Sequence, residues 1–334
     1  MDALTLERIF EPSYTANRRV PIAGEALYSL DTAEDGPPDP GCSPPVSPQG
    51  VGLYRPDDLM WRVNRETVLL LSGPRALLMQ IAHPLVAAGV AQHSDFQREP
   101  LRRLKNTLNA MLGMIYGTHA EAIAWGERVN RIHESVEGRL ETSTACFGPD
   151  TAYSALDPAL LFWVQATLID SAMVAYETFV APLGDTERAQ LYEESKAMAP
   201  LLRLPAHSLP SDYAEFQHTL DELIRGPILE VSPAAREIAD AVLHPKLLHL
   251  PRALWRAGSV FAVGLLPPEL RQRYGFRWQA REQRRWRWAR STVRTLRPLL
   301  PEVVRVFPAA RRAEKVRRQI PAAGTDPYRQ RSRP

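Results

Sequence analysis

A chain of 334 residues, 45% hydrophobic and 24% charged, can bury a sizeable core as one large domain or two smaller ones. Its two cysteines, Cys42 in a Pro-rich stretch and a solitary Cys146, exclude a disulfide framework and a Cys-rich zinc site. The net charge of +3 conceals an asymmetry: residues 271–318 carry 16 Lys and Arg against Glu282, Glu302 and Glu314. The body before them is therefore acidic.

Residues 1–52 read as a flexible N-terminal segment that ends in a Pro/Gly/Ser-rich linker, Gly36–Gly50, unable to pack a core. The N-terminus lacks an apolar h-region, which predicts no secretory signal and a cytoplasmic protein. A globular helical domain is expected over 53–318, with a disordered tail at 319–334. Pro56–Leu71 has helical periodicity, with Leu59, Val63, Thr67 and Leu70 on one face. Ser72-Gly73-Pro74 breaks it. The next helix, Arg75 to about Gln92, is apolar nearly all round and so buried. Pro84 should kink it and free a carbonyl one turn back. Small residues Ala87, Ala88, Gly89 and Ala91 permit close approach of a backbone or a flat ligand.

Pro100–Met114 is helical, with a basic flank and an apolar face. Thr118 and Glu121 have capping-box spacing for a helix running to about Leu140. Asp157-Pro158 opens a long apolar helix to about Val180, and Asp185 or Thr186 opens another to about Leu201. Further helical segments are expected at Ser211–Arg225, Pro233–Val242, Pro251–Leu265, Trp278–Leu296 and Pro301 to about Arg318, with a helical turn at Pro267–Tyr274. No stretch alternates convincingly, so no sheet is expected. The apolar runs Val68–Val90 and Ala159–Val180 are interrupted by polar residues, which argues against a transmembrane span. The fold class is all-α, a single large helical domain.

Four residues are candidate site residues. His133 sits on the face of Val129, Ile132, Val136 and Leu140. A buried imidazole needs a partner, either a carbonyl or carboxylate or a metal. Arg103 and Thr107 stack one turn apart, either as a solvated face or as a grip for an anionic group. His83 precedes Pro84 in the buried helix and either lines a cavity or packs in the core. Asp170 and Glu177 lie on one face of an apolar helix. A di-iron site would use them with Glu-x-x-His motifs, which this chain lacks. Salt bridges to Arg residues of neighbouring helices are the preferred reading. The Arg/Trp-rich helix from Trp278 has an apolar stripe of Trp278, Trp286, Ala289, Val293, Leu296 and Leu300. Docking of that stripe on the body is preferred. Peripheral membrane contact through 278–318 is the other reading, and nucleic acid is not expected as a partner.

Five segments in order, GPRALLMQIAHPLVAAGVAQHSDF (73–96), EPLRRLKNT (99–107), VNRIHESVEG (129–138), YSALDPALLFWVQATLIDSAMVAYETF (153–179) and LPPELRQRYGF (266–276), resemble the family of rubber oxygenases (latex-clearing proteins) and MpaB-type oxygenases. The resemblance covers about residues 53–315. It implies a globin-like helical core holding one haem b, with O₂ chemistry on a small apolar, isoprenoid-class substrate. The absence of Cys-x-x-Cys-His excludes covalent haem attachment. By position, the family's proximal iron ligand matches His133, and its Arg and Thr near the haem match Arg103 and Thr107. His83 would line the distal pocket. The distal Lys of some members falls at Asn106. The family's glutamate base has no counterpart in Arg75–Gln92, and its common His in the WVQATL segment is Gln165. These departures motivate an alternative, a non-catalytic haem-binding or haem-free helical binding protein.

Overall fold

The computed structural model describes residues 52–94, 100–244 and 252–319, with side chains at 100–103, 252–257 and 318–319 outside the description. The expected N-terminal linker and the tail from 320 onward lie outside the described residues. The rest is all-α. In chain order the helices are α1 (Leu59–Asn64), α2 (Gly73–Ile81), α3 (Pro84–His93), α4 (Pro100–Tyr116) and α5 (His119–Glu134). After a short sheet come α6 (Pro158–Phe179), α7 (Asp185–Ser195), α8 (Tyr213–Arg225), α9 (Pro233–Leu243) and α10 (Arg252–Leu265). The C-terminal part holds α11 (Pro268–Arg273), α12 (Ala280–Leu296), α13 (Glu302–Arg305) and α14 (Pro308–Gln319).

The helix α6 is the central rod. Asp157 caps it by accepting from the Ala159 N–H at 2.8 Å, and Pro158 fits the first turn, where no N–H is needed. It packs against α1, α2, α7 and α12. Among the described residues it is the one helix long and apolar enough to cross a bilayer, but 72% of its most apolar window is buried within the protein. Its two carboxylates pair with arginines, as the sequence suggested. Arg75, 3% exposed, meets Asp170 at 2.6 Å, donates to Ser171 Oγ and gives its Nε–H to Leu265 O at 2.8 Å. One guanidinium thus ties α2, α6 and α10 together. Glu177 pairs with Arg188 at 2.6 Å.

Four expectations are corrected. The helix expected over 56–71 is α1 plus a 3₁₀ segment, Thr67–Ser72. Glu66, between them, is extended, bridges Val306 and binds Arg297, so tertiary contacts override the helical period. The helix expected over 75–92 is divided into α2 and α3 rather than kinked. The ring of Pro84 forces His83 into extended backbone (φ −81°, ψ 121°). Pro84 has no N–H to give the carbonyl one turn back, Gln80 O, which accepts instead from the His83 N–H and from the Trp163 indole N–H, both at 3.2 Å. The helix expected to reach Leu140 stops at Glu134. Its next residues form β1 (Glu137–Arg139), antiparallel to β2 (Ala152–Ser154). Strands of three residues are too short for alternation to register. Finally, the C-terminal helix expected from Pro301 is broken into α13 and α14, with Val306 extended.

The helices α4 and α5 form an antiparallel hairpin across Gly117-Thr118. The capping box forms as expected: Thr118 Oγ1 accepts from Glu121 N, and Glu121 Oε2 accepts from Thr118 N at 2.6 Å. Gly113 fixes the hairpin register, because a Cβ there would lie 2.1 Å from Trp125 Nε1. Gly113→Ala is expected to cost about 1–3 kcal/mol by overpacking this seam. A denaturant melt of the variant measures it. An unchanged midpoint would show that Trp125 can step aside.

Candidate functional site

The register of the α4–α5 hairpin places the candidate site. Gly113 meets Trp125. Because the helices are antiparallel, two turns back along α4 is two turns forward along α5. His133 therefore lies in the part of α5 that runs alongside the first half of α4. Thr107 and His133 are both half-buried. His133 Nδ1 is sealed from solvent. Arg103, one turn before Thr107, is on the same helix, and its side chain is outside the described residues.

The apolar face expected around His133 needs correction. Ile132 is 47% exposed, and the buried line of α5 is Ala122, Gly126 and Asn130. A Cβ on Gly126 would meet Leu201 O at 2.7 Å, and the Asn130 amide donates to the same carbonyl at 2.9 Å. A glycine followed at four residues by a short amide donor is the sequence signal for this close approach. Two residues four apart are too sparse a pattern to predict it. Just past His133, Val136 and the Tyr153 ring reach Gly89 of α3. The small-residue stretch of α3 is therefore close-packed at that point by the sheet.

His83 lies at the α2–α3 break, fully buried, with its ring 5.5 Å from the Phe147 ring. It thus faces the loop after β1. Burial alone lowers its pKa to about 3, so it is neutral at physiological pH. An unfolded chain binds the proton near pH 6.5 and the folded chain does not. Stability is full above about pH 6.5 and falls as the pH drops towards 3, by on the order of 4 kcal/mol. His83→Leu should flatten this part of a stability–pH curve measured by urea melts. A curve of unchanged slope would show that other groups carry the acid lability.

On α4, Met111 follows Thr107 by one turn, so the two share a face. Met111 lines a small cavity of about 30 Å³ with Met60, Gln165, Leu168, Met198 and Leu202. Gln165 is 7% exposed and donates weakly to Ser195 O at 3.4 Å. Its Oε1 has no hydrogen-bond partner among the described residues. Such a carbonyl in an apolar wall costs about 1–3 kcal/mol. A larger cleft of about 440 Å³ lies between residues 142–145 and 227–236. Its Arg273 already donates to Leu229 O and Arg225 O, and none of the predicted site residues lines it.

The donor chemistry fits an iron porphyrin better than a bare ion. No three His, Cys, Asp or Glu come together among the described residues. Haem iron needs only one protein ligand from such a site, because the macrocycle supplies the others. The hairpin offers one half-buried imidazole, His133, and one half-buried hydroxyl, Thr107.

The catalytic-domain model of "ER-bound oxygenase mpaB/B'/Rubber oxygenase" matches residues 61–295. The chain belongs to this oxygenase family. The match runs from α1 into the last turn of α12 and includes His83, Arg103, Thr107, His133 and Gln165. The chain is also 27% identical over 237 residues to the uncharacterized protein Mb2261 of Mycobacterium bovis and, to the same extent, to the uncharacterized protein Rv2237 of Mycobacterium tuberculosis. These alignments cover 69% of this chain and 89% of each relative. No solved structure matches it. Membership of the oxygenase family makes an oxidoreductase the coarse functional class, with O₂ and a substrate as its partners.

Proposed function

We propose that this chain is a haem b-dependent oxygenase acting on a small apolar, isoprenoid-class substrate. What supports the reading is the antiparallel α4–α5 hairpin, which carries the half-buried Thr107 on one helix and the half-buried His133 on the other. His133 would be the iron ligand, and Thr107 and Arg103 would hold the haem edge or its propionates. Bound haem would supply the O₂ chemistry. The chain supplies the rest. The neutral His83 imidazole, buried at the α2–α3 break, would line the distal side without adding charge. The apolar walls beyond Met111 would exclude water and select an apolar substrate. Gln165 Oε1 would accept from a polar group of that substrate or from a trapped water.

Purified protein reconstituted with haem is expected to show a Soret band, stoichiometric iron and O₂ uptake stimulated by an isoprenoid. Gln165→Met should raise stability by about 1 kcal/mol, because it removes a carbonyl without a partner, and it should lower turnover. A variant that is less stable and equally active would remove Gln165 from the site.

Asn106 and the lack of any acidic residue in Gly73–His93 favour a second reading, a haem-binding or haem-free scaffold without turnover. Haem-loaded protein that consumes no O₂ with any isoprenoid tried would support it. Cytoplasmic residence belongs to the same proposal and is tested by cell fractionation.

A further inference from the structure

The expected apolar stripe of the C-terminal helix is only partly used. Trp286 is buried, its ring 2.5 Å from where a Gly264 Cβ would stand and T-shaped against Phe179 and Phe261. Trp278 lies before α12, where Arg271 stacks on its ring. Leu296 and Leu300, expected in the stripe, are exposed. Trp288, two residues from Trp286 and so on the opposite side of the helix, is 77% exposed. Beyond it the chain presents Leu296, Leu299, Leu300, Val303 and Val304 to solvent, with Leu299 75% exposed.

This surface is not a loose end. Arg297 grips Glu66 through both carboxylate oxygens, at 2.5 and 2.9 Å. Thr67 Oγ1 donates to Val304 O at 2.7 Å, and Phe307 N donates to Arg65 O at 2.9 Å. Fixed backbone therefore holds six large apolar side chains in water. Arg281, Arg284 and Arg285 lie within roughly 60° of Trp288 on the helical wheel. Together with Arg287, Arg290 and Arg294, they form no ion pair among the described residues. The match to the oxygenase family ends at residue 295, so the apolar half of the surface lies beyond the family's shared domain.

We infer that α12 and the segment 296–304 form a docking surface for a bilayer rich in anionic phospholipid. The arginines would meet the headgroups, Trp288 would sit at the interface, and the Leu and Val side chains would enter the acyl boundary. A second copy of the chain fits poorly, because a two-fold contact would set one arginine row against the other. Nucleic acid would use the arginines and leave the apolar half wet. The inference does not rest on the proposed oxygenation.

The test is sedimentation of the full chain with vesicles of phosphatidylcholine alone or mixed with phosphatidylserine. Expected is binding to the mixed vesicles only. The partition coefficient should fall by roughly tenfold or more both in Trp288→Ser/Leu299→Ser and in Arg281→Glu/Arg284→Glu/Arg285→Glu. All five positions are exposed, and circular dichroism melts should match the parent. Binding that is absent, indifferent to phosphatidylserine, or unchanged in both variants overturns the inference. So does a monomer–dimer equilibrium abolished by the Trp288/Leu299 variant, or duplex DNA binding that competes fully with the vesicles.

Discussion

His133→Ala is expected to leave a folded protein that no longer retains haem. The residue is half-buried in the last turn of α5, so truncation there should change stability by no more than about 1 kcal/mol. The Soret band and the iron content should fall to background after gel filtration. Turnover should fall by at least about a hundredfold, since even partners one shell out from a metal cost 10–100-fold. Free imidazole added to a His133→Gly variant should restore part of the Soret band, which a purely structural role would not produce. Thr107→Val should lie between, retaining haem with affinity reduced by about tenfold. Equal spectra and iron content in wild type and His133→Ala would end the ligand assignment and favour the scaffold reading.

Asp170→Ala is expected to be the most damaging single change to the fold. It would leave Arg75, only 3% exposed, as an unpaired charge between α2, α6 and α10. Breaking such a pair costs about 3–5 kcal/mol, because the remaining ion stays desolvated. For a domain of this size that corresponds to a fall in Tm of roughly 6–20 °C. The double variant Arg75→Met/Asp170→Leu should recover most of the loss, because two apolar side chains need no solvation. Thermal melts of wild type and both variants decide the matter. If the double variant is no better than the single one, the loss arises from packing or from the bonds to Ser171 and Leu265 rather than from the stranded charge.

Much of the fold was legible because local chemistry agreed with the global result. The Asp157 cap and Pro158 start α6, and Thr118 with Glu121 starts α5. Each signal needs only neighbours a few residues away. The reading failed where distant residues decided. Glu66 should continue a helix by its periodicity, yet Arg297 and Val306 draw it out into extended backbone. The candidate site was legible in a different way. The spacing of Arg103 to Thr107 sets a shared helix face, while nothing in the sequence says how α4 packs against α5, the helix of His133. That relation comes from Gly113, whose missing side chain admits the Trp125 ring and locks the hairpin register.

The C-terminal helix shows the same division. Its charge and tryptophans were plain in the sequence, but which tryptophan docks was not. Trp286 is buried because Gly264 leaves room for its ring, and Trp288 then faces water because two residues turn a helix about 200°. The helical class, the caps and the break at Pro84 follow from the sequence alone. The tertiary structure decided the register of α4 against α5, the partners of Asp170 and Glu177, and which apolar side chains stay uncovered. Periodicity and capping are set within a turn or two of chain, whereas register and burial depend on volumes and charges contributed by residues tens to hundreds of positions away.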